Sequence, residues 1–332
     1  MAEGREREDD RNDGGRVGRI VYVCNWDGHS GGIKVIYEHV RLLRRLRFDA
    51  WLGSYGEFRR CTWFKNDEQE APAISAILGE VRAEDLLVIP DVCLDDERIG
   101  GLTARKVALI QNAALLPERR RRVAFEAVLT PSRPLAAKLR MHSGIDVPIH
   151  FVPGFLESEY LFPRVRDERG WFLPITFDRP GKNAGEPRLV QEALKRHGLD
   201  ILRVESPAAP HVDFVGAFRQ YDAYLHLSHP EGFPGPVIEA FGSGALVIGF
   251  TGVGGAEFMR DGDNCLVCPD GDWRNVVETT LRVWRLDSAT WNRLIANALR
   301  TAASYSEAKT SAALAQAFEA LAKGRSRRIA TA

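Results

Sequence analysis

The sequence predicts an α/β protein built from doubly wound parallel sheets, and three observations support this fold class. Short apolar segments alternate with segments of helical periodicity along most of the chain. Some of the apolar segments, such as ALVIGF at 245–250, are apolar on both faces, as strands in a helix-covered parallel sheet are. The length of 332 residues and the hydrophobic content of 45% are enough for two domains, each with its own core.

The N-terminal half supplies the first predicted sheet. Residues 1–16 are almost entirely polar, charged or glycine, so we expect a disordered lead-in there. A strand at 19–25 is followed by a helix at 33–46, in which apolar residues recur at helical spacing. Residues 17–155 form the first predicted domain. Its further strands are predicted at 48–53, 85–91, 106–112 and 127–132.

The C-terminal half supplies the second predicted sheet. Pro, Gly and charged residues gather at 154–168 and indicate a linker. The second predicted domain covers 165–323, and 324–332 are predicted to be a frayed tail. Strands are predicted at 170–177, 200–206, 211–216, 223–228 and 245–250. Helices are predicted at 186–197, from Pro236 to Gly242 or Gly244, and at 272–285, 288–303 and 306–322.

Composition excludes several classes of protein. The chain has 45 basic and 45 acidic residues, a balance that argues against a nucleic-acid partner. The cysteines number five, and the N-terminus lacks the pattern of a signal peptide, so we expect a reducing, cytoplasmic location. No apolar run approaches the roughly 20 residues that a membrane span requires. Composition leaves the oligomeric state open.

The most informative stretch is HPEGFPGPVIEAFGSGALVIGF, residues 229–250. Pro236 suits the first turn of a helix, which places Glu231 in the preceding loop and Glu239 about one turn into the helix. A helix N-terminus favours an anion such as phosphate. Carboxylates beside a phosphate repel it unless they accept hydrogen bonds from hydroxyl groups. A phosphate with sugar hydroxyls on both sides is a sugar nucleotide, which is therefore the predicted ligand.

The motif EGFPGPVIEA at 231–240, with GVGGAEF at 252–258 and DGDNCLVCPDGD at 261–272, resembles the donor-binding half of retaining glycosyltransferases of family 4 (glycosyl transferases group 1). The resemblance is close over about 211–285. It implies the GT-B fold, in which two Rossmann-like domains face each other across a cleft. It also implies transfer of a hexose-type sugar from a nucleotide-sugar co-substrate with retention of configuration, without a further cofactor and without a metal.

The resemblance also assigns roles to residues of the second domain. Glu231, with the amides of Gly232 and Phe233, corresponds to the family's contacts with the donor sugar, and Glu239 to its contact with the ribose. Gly235 and Val237 fall in the same donor-binding motif. Arg179 and Lys182 match the two cations that the family places against the donor diphosphate. The catalytic candidates are accordingly Glu231, Lys182 and Arg179.

On the N-terminal side, the glycine-rich turn WDGHSGG at 26–32 occupies the place of the family loop that faces the donor phosphates. This makes Gly31 and Gly32 donor-binding candidates and His29 a pocket candidate. Gln111 and Asn112 end a strand, where ligands bind to parallel sheets, and His229 lies near Glu231. Many family members have a histidine in this domain that this chain lacks, and His29 is the nearest titratable alternative.

Two other motifs are interpreted as structural. The DGD sequences at 261–263 and 270–272 lie in turn contexts, so we expect turns and no metal site there. Cys265 and Cys268 have Cys-x-x-Cys spacing, but no second pair at zinc-site spacing accompanies them, which favours small buried residues of an apolar strand.

Two questions stay open at this level. The missing histidine allows an alternative function, that of a weak or inert relative that binds a sugar nucleotide as a regulatory or scaffolding subunit. The acceptor, whether a sugar, a lipid-linked molecule or a natural product, is not encoded in the motifs. The arginines at 41–47 and 119–122 fit either solvated helix faces or peripheral contact with the inner face of an anionic membrane.

Overall fold

The computed structural model describes most of the chain. The described residues are 18–25, 28–112, 123–142, 145–162, 174–178, 183, 185–205 and 210–329. The predictions for the lead-in at 1–16 and for the arginines at 119–122 lie outside them, as do Arg179 and Lys182.

A parallel sheet of Rossmann type organises the first domain. Its strands are β1 (Ile20–Val23), β2 (Ala50–Gly53), β3 (Ala73–Ile74), β4 (Leu86–Pro90), β5 (Arg105–Leu109), β6 (Ala127–Thr130) and β7 (Ile149–Phe151). Among the described residues these strands lie in the order β3-β2-β1-β4-β5-β6-β7, all parallel. The order reverses between β1 and β4, the point at which such sheets bind ligands.

Both faces of this sheet are covered by apolar side chains. The helices that follow the strands are α1 (Gly31–Arg45), α2 (Ile77–Glu80), α3 (Glu97–Gly100) and α4 (Arg133–His142). Ile33, Ile36 and Val40 on α1 pack against one face, and Leu135 and Leu139 on α4 against the other. This two-sided burial explains why the strands carry apolar residues at consecutive positions, as predicted.

The second sheet has a different strand order. Its strands are β8 (Pro174–Asp178), β9 (Leu202–Glu205), β10 (Ala223–His226), β11 (Leu246–Gly249) and β12 (Leu266–Val267). In the described part of the chain they lie parallel in the order β12-β11-β10-β8-β9, so the switch point falls between β8 and β10. The accompanying helices are α5 (Glu186–Arg196), α6 (His211–Phe218), α7 (Gly235–Gly242), α8 (Trp273–Val283) and α9 (Ser288–Ala303).

The central run of the sequence folds as predicted. Pro236 lies in the first turn of α7, Glu239 follows about one turn later, and Gly244 adopts a left-handed φ of 72° after the helix. The strand β11 comes next and is fully buried. Local sequence signals are therefore sufficient for this part of the fold.

The predicted strand at 211–216 was wrong, because these residues begin helix α6. His211, Phe214, Val215 and Phe218 are buried at helical spacing, whereas Val212 is 57% exposed. The alternation of Val212 and Phe214 resembled a strand only because the window stopped before Phe218.

The last helix crosses back to the first domain. Helix α10 (Glu307–Ile329) places Leu314 and Phe318 in the core cluster of the first sheet, next to Phe48. The predicted range 165–323 assigned this helix to the second domain, and the predicted tail began five residues before its end at Ile329. Helical periodicity identifies the apolar stripe but not the sheet that it covers. No helix in the described ranges is long and apolar enough to cross a membrane.

Helix α10 also forms ion pairs with α1. Glu307 binds Arg41 and Arg45, with N–O distances of 2.9 Å to each. Two of the arginines in the basic stretch at 41–47 therefore connect elements within the protein, which supports the structural interpretation of that stretch.

Candidate active site

The loop between β10 and α7 is held by backbone hydrogen bonds to the glycine-rich turn that follows β11. The Glu231 amide donates to the Gly252 carbonyl at 2.7 Å, and the Gly254 amide donates to the Glu231 carbonyl at 2.9 Å. Glu231 is 6% exposed. The loop leaves the sheet at its switch point, so the structure places a buried carboxylate where ligands bind to this type of sheet.

Two glycines are required here because backbone segments approach each other closely. A Cβ atom on Gly232 would lie 1.8 Å from the Gln111 carbonyl oxygen of the first domain. A Cβ atom on Gly254 would lie 1.7 Å from the Gly232 carbonyl oxygen. Only glycine fits without displacement of the backbone. The Glu231 loop therefore lies directly against the first domain.

Asp91 organises the first-domain side of this contact. Its Oδ2 atom accepts hydrogen bonds from the Gln111 amide at 2.9 Å and the Asn112 amide at 2.8 Å. The Asn112 side chain donates to the Pro230 carbonyl at 3.2 Å, and the Gln111 side chain donates to the Gly32 carbonyl at 3.2 Å. Both predicted pocket residues thus lie at the domain junction, where they connect the loops after β1 and β10.

The turn before α1 presents its glycines differently. The Ser30 side chain caps the helix by accepting from the Gly32 amide at 3.2 Å. A Cβ atom on Gly32 would lie 2.5 Å from the Gln111 side-chain oxygen, whereas Gly31 is exposed with nothing within 4 Å of its Cβ position. His29 is exposed and stacks on Trp63, with ring centroids 6.0 Å apart. Gly31 therefore has open space in front of it.

Glu239 is bonded to a histidine that the motif analysis did not identify. The Nε2 atom of His211 lies 2.7 Å from Oε1 of Glu239, and His211 is only 3% exposed. The His211 amide donates to the Trp63 carbonyl of the first domain at 2.7 Å. The predicted ribose-binding carboxylate is therefore connected to the first domain through His211 and Trp63.

The other predicted donor-binding residues contribute to the loop itself. Phe233 packs its ring on Phe258 and Tyr305, with centroids 5.5 and 5.7 Å away. The Gly235 amide donates to the Phe233 carbonyl at 2.8 Å. Val237 is fully buried, and its amide donates to Pro234 at 3.0 Å. These contacts give the start of α7 a fixed shape.

Three comparisons place this geometry among known proteins. Residues 162–285 match the family model described as Glycosyl transferases group 1. Sucrose-phosphate synthase from Thermosynechococcus elongatus superposes with a TM-score of 0.71 over 91% of this chain and 98% of its own, at 12% identity. The chain has the GT-B fold. The HepE protein of Anabaena in complex with UDP-glucose shares this GT-B architecture, with a TM-score of 0.64 over 91% of this chain and 99% of HepE, at 14% identity.

A curated relative matches only part of the chain. It is the UDP-N-acetylglucosamine–peptide N-acetylglucosaminyltransferase GtfA subunit of Streptococcus pneumoniae, which is 34% identical over 97 residues. The match covers 29% of this chain and 18% of the relative. The GT-B fold is thus confirmed, and the group 1 part of the resemblance is confirmed over residues 162–285.

The remaining candidates lie at the edge of this GT-B cleft. The His229 ring packs edge-on against Phe250 with centroids 5.3 Å apart, and its Nε2 atom lies 3.5 Å from Glu186 on α5. Arg179 and Lys182, the predicted diphosphate cations, are outside the described residues. They follow β8 in sequence, one of the two strands that flank the switch point.

The motifs interpreted as structural lie in turns and buried positions. Oδ1 of Asp261 and of Asp270 accept from the amides of Val267 and Gly252, at 3.0 and 3.1 Å. Burial raises the pKa of Cys265 to about 12 and that of Cys268 to about 11, so both remain neutral thiols at pH 7. In the part of the chain that the structure describes, no group of three His, Cys, Asp or Glu residues has metal-ligand geometry.

Sequence analysis missed three residues at this junction, namely Asp91, His211 and Trp63. Asp91 directly follows a buried strand, so the rule that ligands bind beyond strand ends was enough to nominate it. His211 was hidden by the wrong strand at 211–216. No local signal identifies Trp63, because its importance comes from contact with the other domain.

Proposed function

We propose that this chain is a retaining glycosyltransferase of family 4 that moves a hexose-type sugar from a nucleotide sugar to a sugar, lipid-linked or natural-product acceptor. The observation that carries the proposal is the placement of Glu231. Its buried carboxylate leaves the switch point of the second sheet, in a loop that is in backbone contact with the first domain. Together with the group 1 match, this is the arrangement that a donor sugar held between two domains needs.

The chemistry assigns a task to each candidate. The bond between the anomeric carbon and the diphosphate oxygen breaks, and its electron pair stays on the diphosphate. Arg179, Lys182 and helix-end amides stabilise that growing negative charge, so no divalent metal is needed. Glu231 stabilises the positive charge that develops on the sugar. The acceptor hydroxyl bonds to the same face of the sugar and passes its proton to the leaving diphosphate oxygen, which makes a side-chain base unnecessary.

A UDP-sugar is the donor that we propose to test first. The HepE structure contains UDP-glucose, and the streptococcal relative is named for UDP-N-acetylglucosamine. A panel of UDP-, GDP-, ADP- and TDP-sugars is screened for thermal stabilisation and then for release of the nucleoside diphosphate. Stabilisation with turnover by one donor supports the proposal, and neither effect with any donor would contradict it.

A second candidate function is binding without turnover, as a regulatory or scaffolding subunit. The matched relative is itself named a subunit, and among the described residues of this chain's first domain no histidine lies beside Glu231. Donor-dependent stabilisation without release of the diphosphate, in the presence of a broad acceptor mixture, would favour this function over catalysis.

A further inference from the structure

The carboxylate of Glu239 is held by a residue to which the family motif gives no role. The Nε2 atom of His211 lies 2.7 Å from Oε1 of Glu239, and the Glu239 side chain is 12% exposed. A carboxylate has acceptor sites for about four hydrogen bonds. A single bond from His211 therefore orients this group and leaves it able to accept from hydroxyls as well.

His211 is itself immobilised on several sides. Its amide donates to the Trp63 carbonyl at 2.7 Å, and the Trp63 ring meets the His211 ring edge-on with centroids 5.1 Å apart. The Tyr160 ring from the interdomain segment packs edge-on at 5.8 Å, and Phe214 on the same helix stacks at 6.3 Å. The imidazole thus has little room to turn away from Glu239.

The two domains meet at this histidine. Trp63 lies in the connection between β2 and β3 of the first sheet, whereas His211 begins α6 and Glu239 lies on α7 of the second domain. The opposite side of Trp63 is stacked by His29, which belongs to the turn before α1. A chain of contacts therefore runs from that turn through Trp63 and His211 to Glu239.

We propose that His211 is a positioning residue that orients the Glu239 carboxylate toward the ribose hydroxyls of the donor, and that Trp63 holds His211 in place from the first domain. This inference rests on the proposed function, since it takes Glu239 as the ribose ligand. A hydrogen bond to a charged group contributes enough to change affinity by about 10-fold. His211→Ala should therefore weaken binding of a nucleotide that has ribose hydroxyls by that factor.

The test compares UDP with 2′,3′-dideoxy-UDP by calorimetry at pH 7.5. His211→Ala should weaken UDP binding about 10-fold and leave the dideoxy analogue unchanged, because the analogue lacks the hydroxyls that Glu239 would accept from. His211→Gln keeps an N–H donor and should restore most of the UDP affinity. His39→Gln is the matched control, since His39 is also a buried histidine but bonds Tyr22 inside the first domain.

The outcomes separate the inference from the function on which it depends. Equal losses for UDP and the dideoxy analogue would mean that His211 is only structural, and unchanged UDP affinity would remove it from the site; either result overturns the inference alone. If the wild type binds no UDP, the proposed UDP donor fails and the inference falls with it. Should His211→Ala not fold, Trp63→Ala replaces it, with a several-fold loss for UDP only as the expected result.

Discussion

Replacing Gly232 with alanine tests whether the donor loop depends on close contact with the first domain. The added Cβ atom would lie 1.8 Å from the Gln111 carbonyl oxygen and 2.7 Å from Leu135 Cδ2. The Gln111 amide is fixed by Asp91, so the carbonyl cannot withdraw easily. The loop must instead move by more than 1.2 Å before the distance to oxygen reaches 3.0 Å.

The size of this displacement sets the expected effect. Overpacking of this kind costs about 1–3 kcal/mol of stability. A shift of about 1 Å in a group that positions substrate can lower turnover by about 10²-fold. Gly232→Ala should therefore lower both the free energy of unfolding and the initial rate with the donor found by screening, because the Asn112 bond to the Pro230 carbonyl is broken as the loop moves.

Gly79→Ala is the matched control for Gly232→Ala. Gly79 is exposed on α2, and no atom lies within 4 Å of its Cβ position. Alanine there should leave the rate unchanged and raise stability by up to about 1 kcal/mol. If Gly232→Ala matches this control in both urea unfolding and initial rate, the loop is not packed on Gln111 and the reasoning fails.

The remaining predictions concern charge, metal, pH and membrane contact. Glu231→Gln should lower turnover by about 10²-fold or more with little change in nucleotide affinity, whereas Glu239→Ala should mainly weaken donor binding; calorimetry beside initial rates distinguishes them, and equal binding losses with intact turnover would reverse the roles. EDTA should leave activity unchanged, and loss that magnesium or manganese restores would contradict the proposed metal independence. Burial lowers the pKa of His39 to about 3 from its ordinary 6.5, so its contribution to stability is present above pH 6.5 and lost as the pH falls toward 3. Between pH 7.5 and 5 the wild type should lose about 2 kcal/mol more unfolding free energy than His39→Gln, and parallel pH profiles in urea titrations would refute this. Binding to anionic vesicles at low salt tests the membrane hypothesis; because Arg41 and Arg45 are paired with Glu307, reversing Glu307 should not be needed for it, and absence of wild-type binding would end it.

The local pattern of the second domain was enough to predict the centre of the fold. Pro236, the two glutamates and the run at 245–250 encode a loop, a helix and a buried strand through propensity and periodicity alone. The same reasoning failed at His211, where two periodicities overlapped and a short window favoured the wrong one.

By itself the sequence determined the fold class, the central run around Glu231 and the candidate carboxylates, because these depend on residues near one another in the chain. Only the tertiary structure decided that α10 covers the first sheet, that Asp91 holds the amides at the domain junction, and that Trp63 and His211 reach Glu239. These contacts join residues far apart in sequence, and their partners are selected by shape and burial across two domains. Periodicity shows which face of an element is apolar, but packing alone determines what covers it.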